Sequence, residues 1–219
     1  MSYEPYDPNA QMIQHHIAEI LKLVDPTSAA AAQQYSIGNS RHVYAPAENF
    51  LREGIKDTPK RVAKAYTTWF GGYQADIADI LKTSFQDGGE NYDQMVVREG
   101  IPLYSHCEHH LAPIFGEVTV AYIPGDGKGV VGLSKMDRLV DAFGRRLQVQ
   151  ERLTNQIADA MVEHLEPKGV AVFVRARHMC VESRGVMNQN SMTTTTALRG
   201  VFLSEPETRA EFMALARSK

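Results

Sequence analysis

The chain has 219 residues, 43% of them apolar, enough to build one sizeable core with or without a smaller helical appendage. Its formal net charge of −3 argues against wholesale binding of nucleic acid, while leaving room for a local basic site. No run is long enough to span a membrane, the polar start MSYEPYDPNAQ is no secretory signal, and two cysteines are not a secreted disulfide framework. A cytoplasmic, reduced protein is expected, a setting in which Cys/His clusters point to metal or catalysis.

Residues 11–24 place Met12, Ile13, Ile17, Ile20, Leu21 and Val24 at helical spacing, and Asp25-Pro26 ends the run. His15 and His16 then fall on a helix surface. The stretch 28–48, an alanine run followed by polar residues, shows no assignable period and reads as an irregular, variable connection. Asp57-Thr58-Pro59 signals a helix start, with Thr58 as cap and Pro59 at the first helical position. Val62, Tyr66, Trp69 and Phe70 form its apolar stripe, and Lys60, Arg61 and Lys64 a basic face that spacing alone reads as solvated. Gly71-Gly72 stops the helix.

From residue 95 the texture changes, dividing the chain into an N-terminal helical region, 1–94, and a sheet-forming domain, 95–219. MVVREGIPLY is β-rich, and in 115–123 Val118, Val120 and Tyr122 alternate with Glu117, Thr119 and Ala121. Ser134-Lys-Met-Asp137 opens a helix with a capping-box-like signature, and Met136, Leu139, Val140 and Phe143 give it a buried face. A second helix follows near 150–165, with Leu153, Ile157, Met161 and Leu165 inward. Residues 170–182 and 191–203 read as strands, and a short helix near 208–217 closes the chain. The order strand, strand, helix, helix, strand, strand is that of an α+β fold: a four-stranded sheet with two helices on one face.

Both cysteines stand beside histidine, in Cys107-Glu-His109-His110 and His178-Met-Cys180. Cys107 and His110 are three residues apart, so one helical turn would put them on the same side. On a strand over 170–182, His178 and Cys180 share the inward face with Val170, Val172, Val174 and Ala176. Two thiolates and an imidazole suit Zn²⁺, and three protein ligands leave a fourth position open, as at catalytic zinc. With Cys107, His110 and Cys180 on the metal, His109 and His178 remain as proton carriers or as hydrogen-bond partners of the ligands. Lys135 and Arg138 share one side of the helix after Ser134, and Arg184-Gly185 follows the second cysteine. With Arg61 and Lys64 these make five cations, which spacing alone does not bring together.

Taken as a series, Asp57-Thr-Pro-Lys-Arg-Val-Ala-Lys64, Cys107-Glu-His-His110, Val120-Ala-Tyr-Ile-Pro124, Gly132-Leu-Ser-Lys135, Gln148-Val-Gln-Glu-Arg-Leu-Thr154, His178-Met-Cys180, Arg184-Gly185 and Ser191-Met-Thr-Thr-Thr195 resemble the zinc-dependent type of GTP cyclohydrolase I. They occur in the family's order and cover roughly residues 50–215. The resemblance implies a tunnelling fold assembled as a homodecamer of two pentamers, with active sites at subunit boundaries. It implies that GTP and water become 7,8-dihydroneopterin triphosphate and formate, a first step toward folate, pterin or deazaguanine. Zn²⁺ held by Cys107, His110 and Cys180 would activate water toward C8 of the guanine. His109 and His178 resemble the proton carriers, Ser134 and Gln150 residues that contact the ribose, and Glu151 the carboxylate that reads the guanine edge. Lys135, Arg138, Arg184, Arg61 and Lys64 resemble the triphosphate clamp. The 28–48 stretch is longer than the family's usual helix-to-helix connection, and its alanine-rich run matches nothing in the family pattern. A non-catalytic ring protein with structural zinc would need none of His109, His178 and Glu151, and a zinc deaminase would need a His-x-Glu and Pro-Cys-x-x-Cys pair that is absent.

Overall fold

A computed structural model describes residues 9–38, 47–82, 84–85 and 92–217. Its contacts divide the chain into two compact units, Met1–Thr68 and Trp69–Lys219. In the first, α1 (Ala10–Val24) and α2 (Pro26–Gly38) pack together and on a 3₁₀ turn at Ala47–Phe50. Ala18, Ala47 and Leu51 are the buried centre, with Leu21 and Ile55 against them. The alanine run is therefore helical as far as Gly38, because alanine has the highest intrinsic helix propensity and needs no amphipathic period to be helical. The rest of the expected irregular connection, 39–46, lies outside the described residues. Asp25 joins the two helices: its carboxylate accepts from Ser28 N (3.0 Å) and Ser28 Oγ (2.8 Å), and Arg52 Nε donates to it at 2.9 Å. The third helix, α3 (Thr58–Trp69), buries Pro59 and Ala63 and leaves Arg61 and Lys64 exposed.

The second unit begins with the short α4 (Ile77–Leu81) and a two-residue strand, β1 (Ser84–Phe85). Its main strands are β2 (Val96–Cys107) and β3 (Pro113–Ile123); β4 (Val130–Val131) pairs with β1. Then come α5 (Leu133–Gly144), β5 (Leu147–Gln148), α6 (Gln150–Leu165), β6 (Gly169–His178), the one-turn α7 (Met179–Glu182) and β7 (Thr193–Gly200). Finally α8 (Val201–Ser204) and α9 (Pro206–Ala216) complete the unit. The sheet order is β5-β2-β3-β6-β7. It thus has five strands rather than four, the extra one being β5, which runs parallel to the end of β2 (His106↔Leu147, Cys107↔Gln148). Two residues between helices carry no readable period, so this strand has no sequence signature.

The four long strands are antiparallel, and α5 and α6 cover one face. Ile101, Leu103, Val118, Val120, Tyr122, Val170, Val172 and Val174 meet Met136, Leu139, Phe143, Leu153, Ile157 and Met161 there. Each such side chain, once buried, contributes about 1.5–3 kcal/mol. The opposite face is not bare at its far end: Ala121, Ala171 and Phe173 pack on Phe202 and Phe212. The strand expected over 191–203 therefore stops at Gly200, whose φ of 57° turns the chain into α8. Gly116 marks a close approach of β3 to β6, where a Cβ would lie 2.1 Å from the Arg175 carbonyl oxygen.

The α5 start also differs from expectation. Its N-cap is Gly132, without a side-chain cap bond, and Ser134 lies inside the first turn. Asp137 instead forms a two-pronged pair with Arg98 on β2 (3.0 and 2.9 Å), a longer-range partner that outcompetes the local box.

Candidate metal centre and its surroundings

The two-residue period of β2 aims Ile101, Leu103, Ser105 and Cys107 at the core, so Cys107 is the last inward residue of the strand. The chain then turns tightly: His110 N and Leu111 N both donate to the Cys107 carbonyl (3.3 and 2.8 Å), and Cys107 N donates to Ala112 O (2.8 Å). Leu111 adopts φ 54°, a left-handed conformation that costs a leucine about 1–2 kcal/mol. The loop carrying His109 and His110 therefore holds some backbone strain. Glu108 N donates to Gln148 O at 3.0 Å, which ties this loop to β5, and the Glu108 carboxylate pairs with Arg152 on α6.

Register brings the second half of the site alongside. Ser105 pairs with Ile114 across β2–β3, and Ile114 pairs with His178 across β3–β6. The end of β6 therefore lies two strands away from the end of β2. Cys180 is not on that strand, contrary to the parity argument; β6 ends at His178 and Cys180 lies on α7. The one-turn helix folds Cys180 back, and Arg177 and Glu182 brace it from either side. Arg177 Nε donates to Glu182 Oε1 at 2.9 Å, and the guanidinium holds the Glu182 carboxyl below its ordinary pKa.

The outcome is a cluster in which one donor atom each from Cys107, His110 and Cys180 lies within 4.8 Å of the others. A tetrahedral centre at ordinary Zn–S and Zn–N lengths separates its donors by roughly 3.4–3.8 Å, so little contraction is needed. Cys107 Sγ is 3.9 Å from His110 Nδ1. Burial raises the Cys180 thiol pKa, and the adjoining Cys107 sulfur adds to the rise, which a cation between the two sulfurs would reverse. The group can hold a metal ion, and its soft donors fit zinc.

His109 Nδ1 is also 3.9 Å from Cys107 Sγ, but its side chain is 63% exposed and its Nε2 is 3.8 Å from Glu108. His178 is partly buried, and its Nε2 is 2.7 Å from Gln150 Oε1. Burial pushes the His178 pKa below its ordinary value, opposed by the Glu151 and Glu182 carboxylates. Gln150 itself is 2% exposed. Glu151, next along α6, is exposed at the helix N-terminus. Arg184 is exposed just past α7, within electrostatic reach of Cys180. Ser134, Lys135 and Arg138 occupy the first two turns of α5, and among the described residues no hydrogen bond or ion pair joins them to the metal donors. Arg61 and Lys64 belong to the first unit. The braces Arg177–Glu182 and Glu108–Arg152 and the threonines around Gln150 were not read from the sequence. Only the Thr193–Thr196 run, polar on both faces of a strand, hints at them.

Among the described residues no helix is long and apolar enough to cross a membrane. Residues 41–217 match the family model described as GTP cyclohydrolase I. The chain is 54% identical over 172 residues to GTP cyclohydrolase 1 of Janthinobacterium sp. (strain Marseille), covering 78% of this chain and 85% of that one. It is 50% identical over 186 residues to that of Nitrosospira multiformis, covering 84% and 96%, and 53% identical over 171 residues to that of Campylobacter jejuni (strain RM1221), covering 78% and 88%. A match of this extent, running through both cysteine segments, shows that the chain belongs to the GTP cyclohydrolase I family.

Proposed function

We infer that the chain carries out its family's reaction, in which GTP and water yield 7,8-dihydroneopterin triphosphate and formate. The observation that carries this reading is the convergence of Cys107, His110 and Cys180 beside a hydrogen-bonded His178 in a chain about half identical to curated GTP cyclohydrolases. Cys107, His110 and Cys180 hold Zn²⁺, which supplies the Lewis acidity needed to activate water near neutral pH. His109, exposed to an incoming ligand, gives a proton to the guanine imidazole ring as it opens at C8. His178 takes and returns protons during formate release and rearrangement of the ribose. Ser134 contacts the ribose. Gln150, for which the resemblance implies the same contact, is buried with its amide on His178, and we propose that it serves the ribose through that residue. Lys135, Arg138 and Arg184, with Arg61 and Lys64, bind the triphosphate; α5 and its cations supply the positive end such a group needs. We further propose the tunnelling fold, a homodecamer that completes each site at a subunit boundary, and residence in the reducing cytoplasm, where two free thiols persist. The proposed metal donors and proton carriers all lie within residues 95–219, the expected catalytic domain, while Arg61 and Lys64 come from the N-terminal region 1–94.

Zinc-replete protein incubated with GTP is expected to release formate and to give a product that fluoresces as a pterin after oxidation. Absence of both sinks the reading. Glu151 presents two carboxylate oxygens to the N–H groups of the guanine edge, a pattern adenine lacks. Glu151→Ala is expected to lower kcat/KM for GTP about 10²- to 10⁴-fold through these lost bonds. Steady-state kinetics that match the unsubstituted enzyme would show that guanine is read elsewhere.

A further inference from the structure

The hydrogen bonds around Gln150 have directions that can be assigned one by one. Its carboxamide nitrogen faces three oxygens: Val174 O at 3.3 Å, Thr193 O at 3.0 Å and Thr195 Oγ1 at 3.1 Å. Two of these are main-chain carbonyls, which only accept, so nitrogen and not oxygen has to occupy that side of the amide. Its two protons are shared among the three acceptors. The Thr154 hydroxyl lies 2.6 Å from the Gln150 main-chain carbonyl, another obligate acceptor, and spends its single proton there. Thr195 Oγ1 is 2.6 Å from Thr154 Oγ1, so the proton in that bond comes from Thr195. A lone pair of Thr195 is then left to receive the Gln150 N–H. The loop closes on itself with every donor assigned, and Gln150 Oε1 is left over as a pure acceptor. It lies 2.7 Å from His178 Nε2.

His178 Nε2 must therefore carry a proton. In the neutral imidazole the other nitrogen, Nδ1, is bare, and no hydrogen bond engages Nδ1 among the described residues. The opposite tautomer would set the Nε2 lone pair against the Gln150 oxygen. The amide cannot rotate to relieve this, because its oxygen would then face two carbonyls. We propose that Thr195, with Thr154, is a positioning residue that locks the Gln150 amide and through it the Nε2–H form of His178, so that Nδ1 is the nitrogen that exchanges protons with the substrate. This rests on the reading of His178 as a proton carrier in GTP hydrolysis. The two threonines act only through Gln150.

The test uses full-length, zinc-replete Thr195→Val and Thr195→Ser. Valine keeps the shape of the side chain and removes the hydroxyl; serine restores the hydroxyl. Thr195→Val is expected to lower kcat about three- to tenfold, the worth of one modest hydrogen bond, with KM for GTP and zinc content unchanged. Thr195→Ser is expected to recover most of the loss. In parallel, a solid-state ¹⁵N spectrum of histidine-labelled protein at pH 8, assigned by the signal missing from His178→Gln, should show Nδ1 of His178 unprotonated and Nε2 protonated. An unchanged kcat in Thr195→Val overturns the proposal, as do equal losses in the valine and serine variants, a loss of zinc, or an unprotonated Nε2. Wild-type protein that shows the expected tautomer but does not turn over GTP would overturn the catalytic part of Nδ1 and the enzyme reading together, leaving the tautomer itself established.

Discussion

Cys180→Ser is expected to strip the metal and reduce turnover of GTP by about 10³-fold or more, because a serine hydroxyl stays protonated near neutral pH and cannot replace a thiolate donor. His109→Asn is expected to keep the metal and to lose about 10²- to 10⁴-fold in kcat, the usual worth of a positioned proton carrier. The separation follows from geometry: Cys180 is one of three donors within 4.8 Å of each other, whereas His109 stands outside that cluster with its side chain 63% exposed. Metal content and GTP turnover measured on the same preparations check both. Equal loss of zinc from the two variants would remove the distinction between ligand and proton carrier.

Gly116→Ala is expected to destabilise the fold by about 3 kcal/mol or more, at the upper end of overpacking costs. A Cβ at this position would lie 2.1 Å from Arg175 O, 2.5 Å from Ala176 Cα and 2.8 Å from Ala176 Cβ, and main-chain atoms of a paired strand cannot step aside. Relief requires β3 and β6 to separate, only two residue pairs from Ile114↔His178. The variant should therefore lose zinc affinity along with its urea midpoint. Gly71→Ala, where nothing lies within 4 Å of the added carbon, is the control and should stay within about 0.5 kcal/mol of the parent. Equal midpoints for the Gly116 variant and the parent would show that the sheet yields at this point after all.

Much of the architecture was legible because strands and helices print their periods in the chain. The alternation Val118, Val120, Tyr122 put the right residues on the face that α5 and α6 cover, and the apolar stripe near 150–165 located α6. Where the period fails, so did the reading. The alanine run of α2 has no polar face to contrast with an apolar one, and β5 is two residues long. The Ser134–Asp137 box is a local pattern overruled by Arg98, which is distant in sequence. In the site, the three donors were found, yet partly for a reason that does not hold. Cys180 reaches the cluster by way of a one-turn helix braced by Arg177 and Glu182, not by strand parity.

By itself the sequence determined the donor types, their order and the family, since motif residues and their spacing are properties of the chain. The tertiary structure alone decided which atoms meet. Antiparallel register carried the ends of β2 and β6 to one place, and the acceptor-only carbonyls of Val174 and Thr193 fixed which way the Gln150 amide points. Hydrogen-bond direction depends on which donor faces which acceptor at sequence separations of 24 to 45, and no local pattern records that.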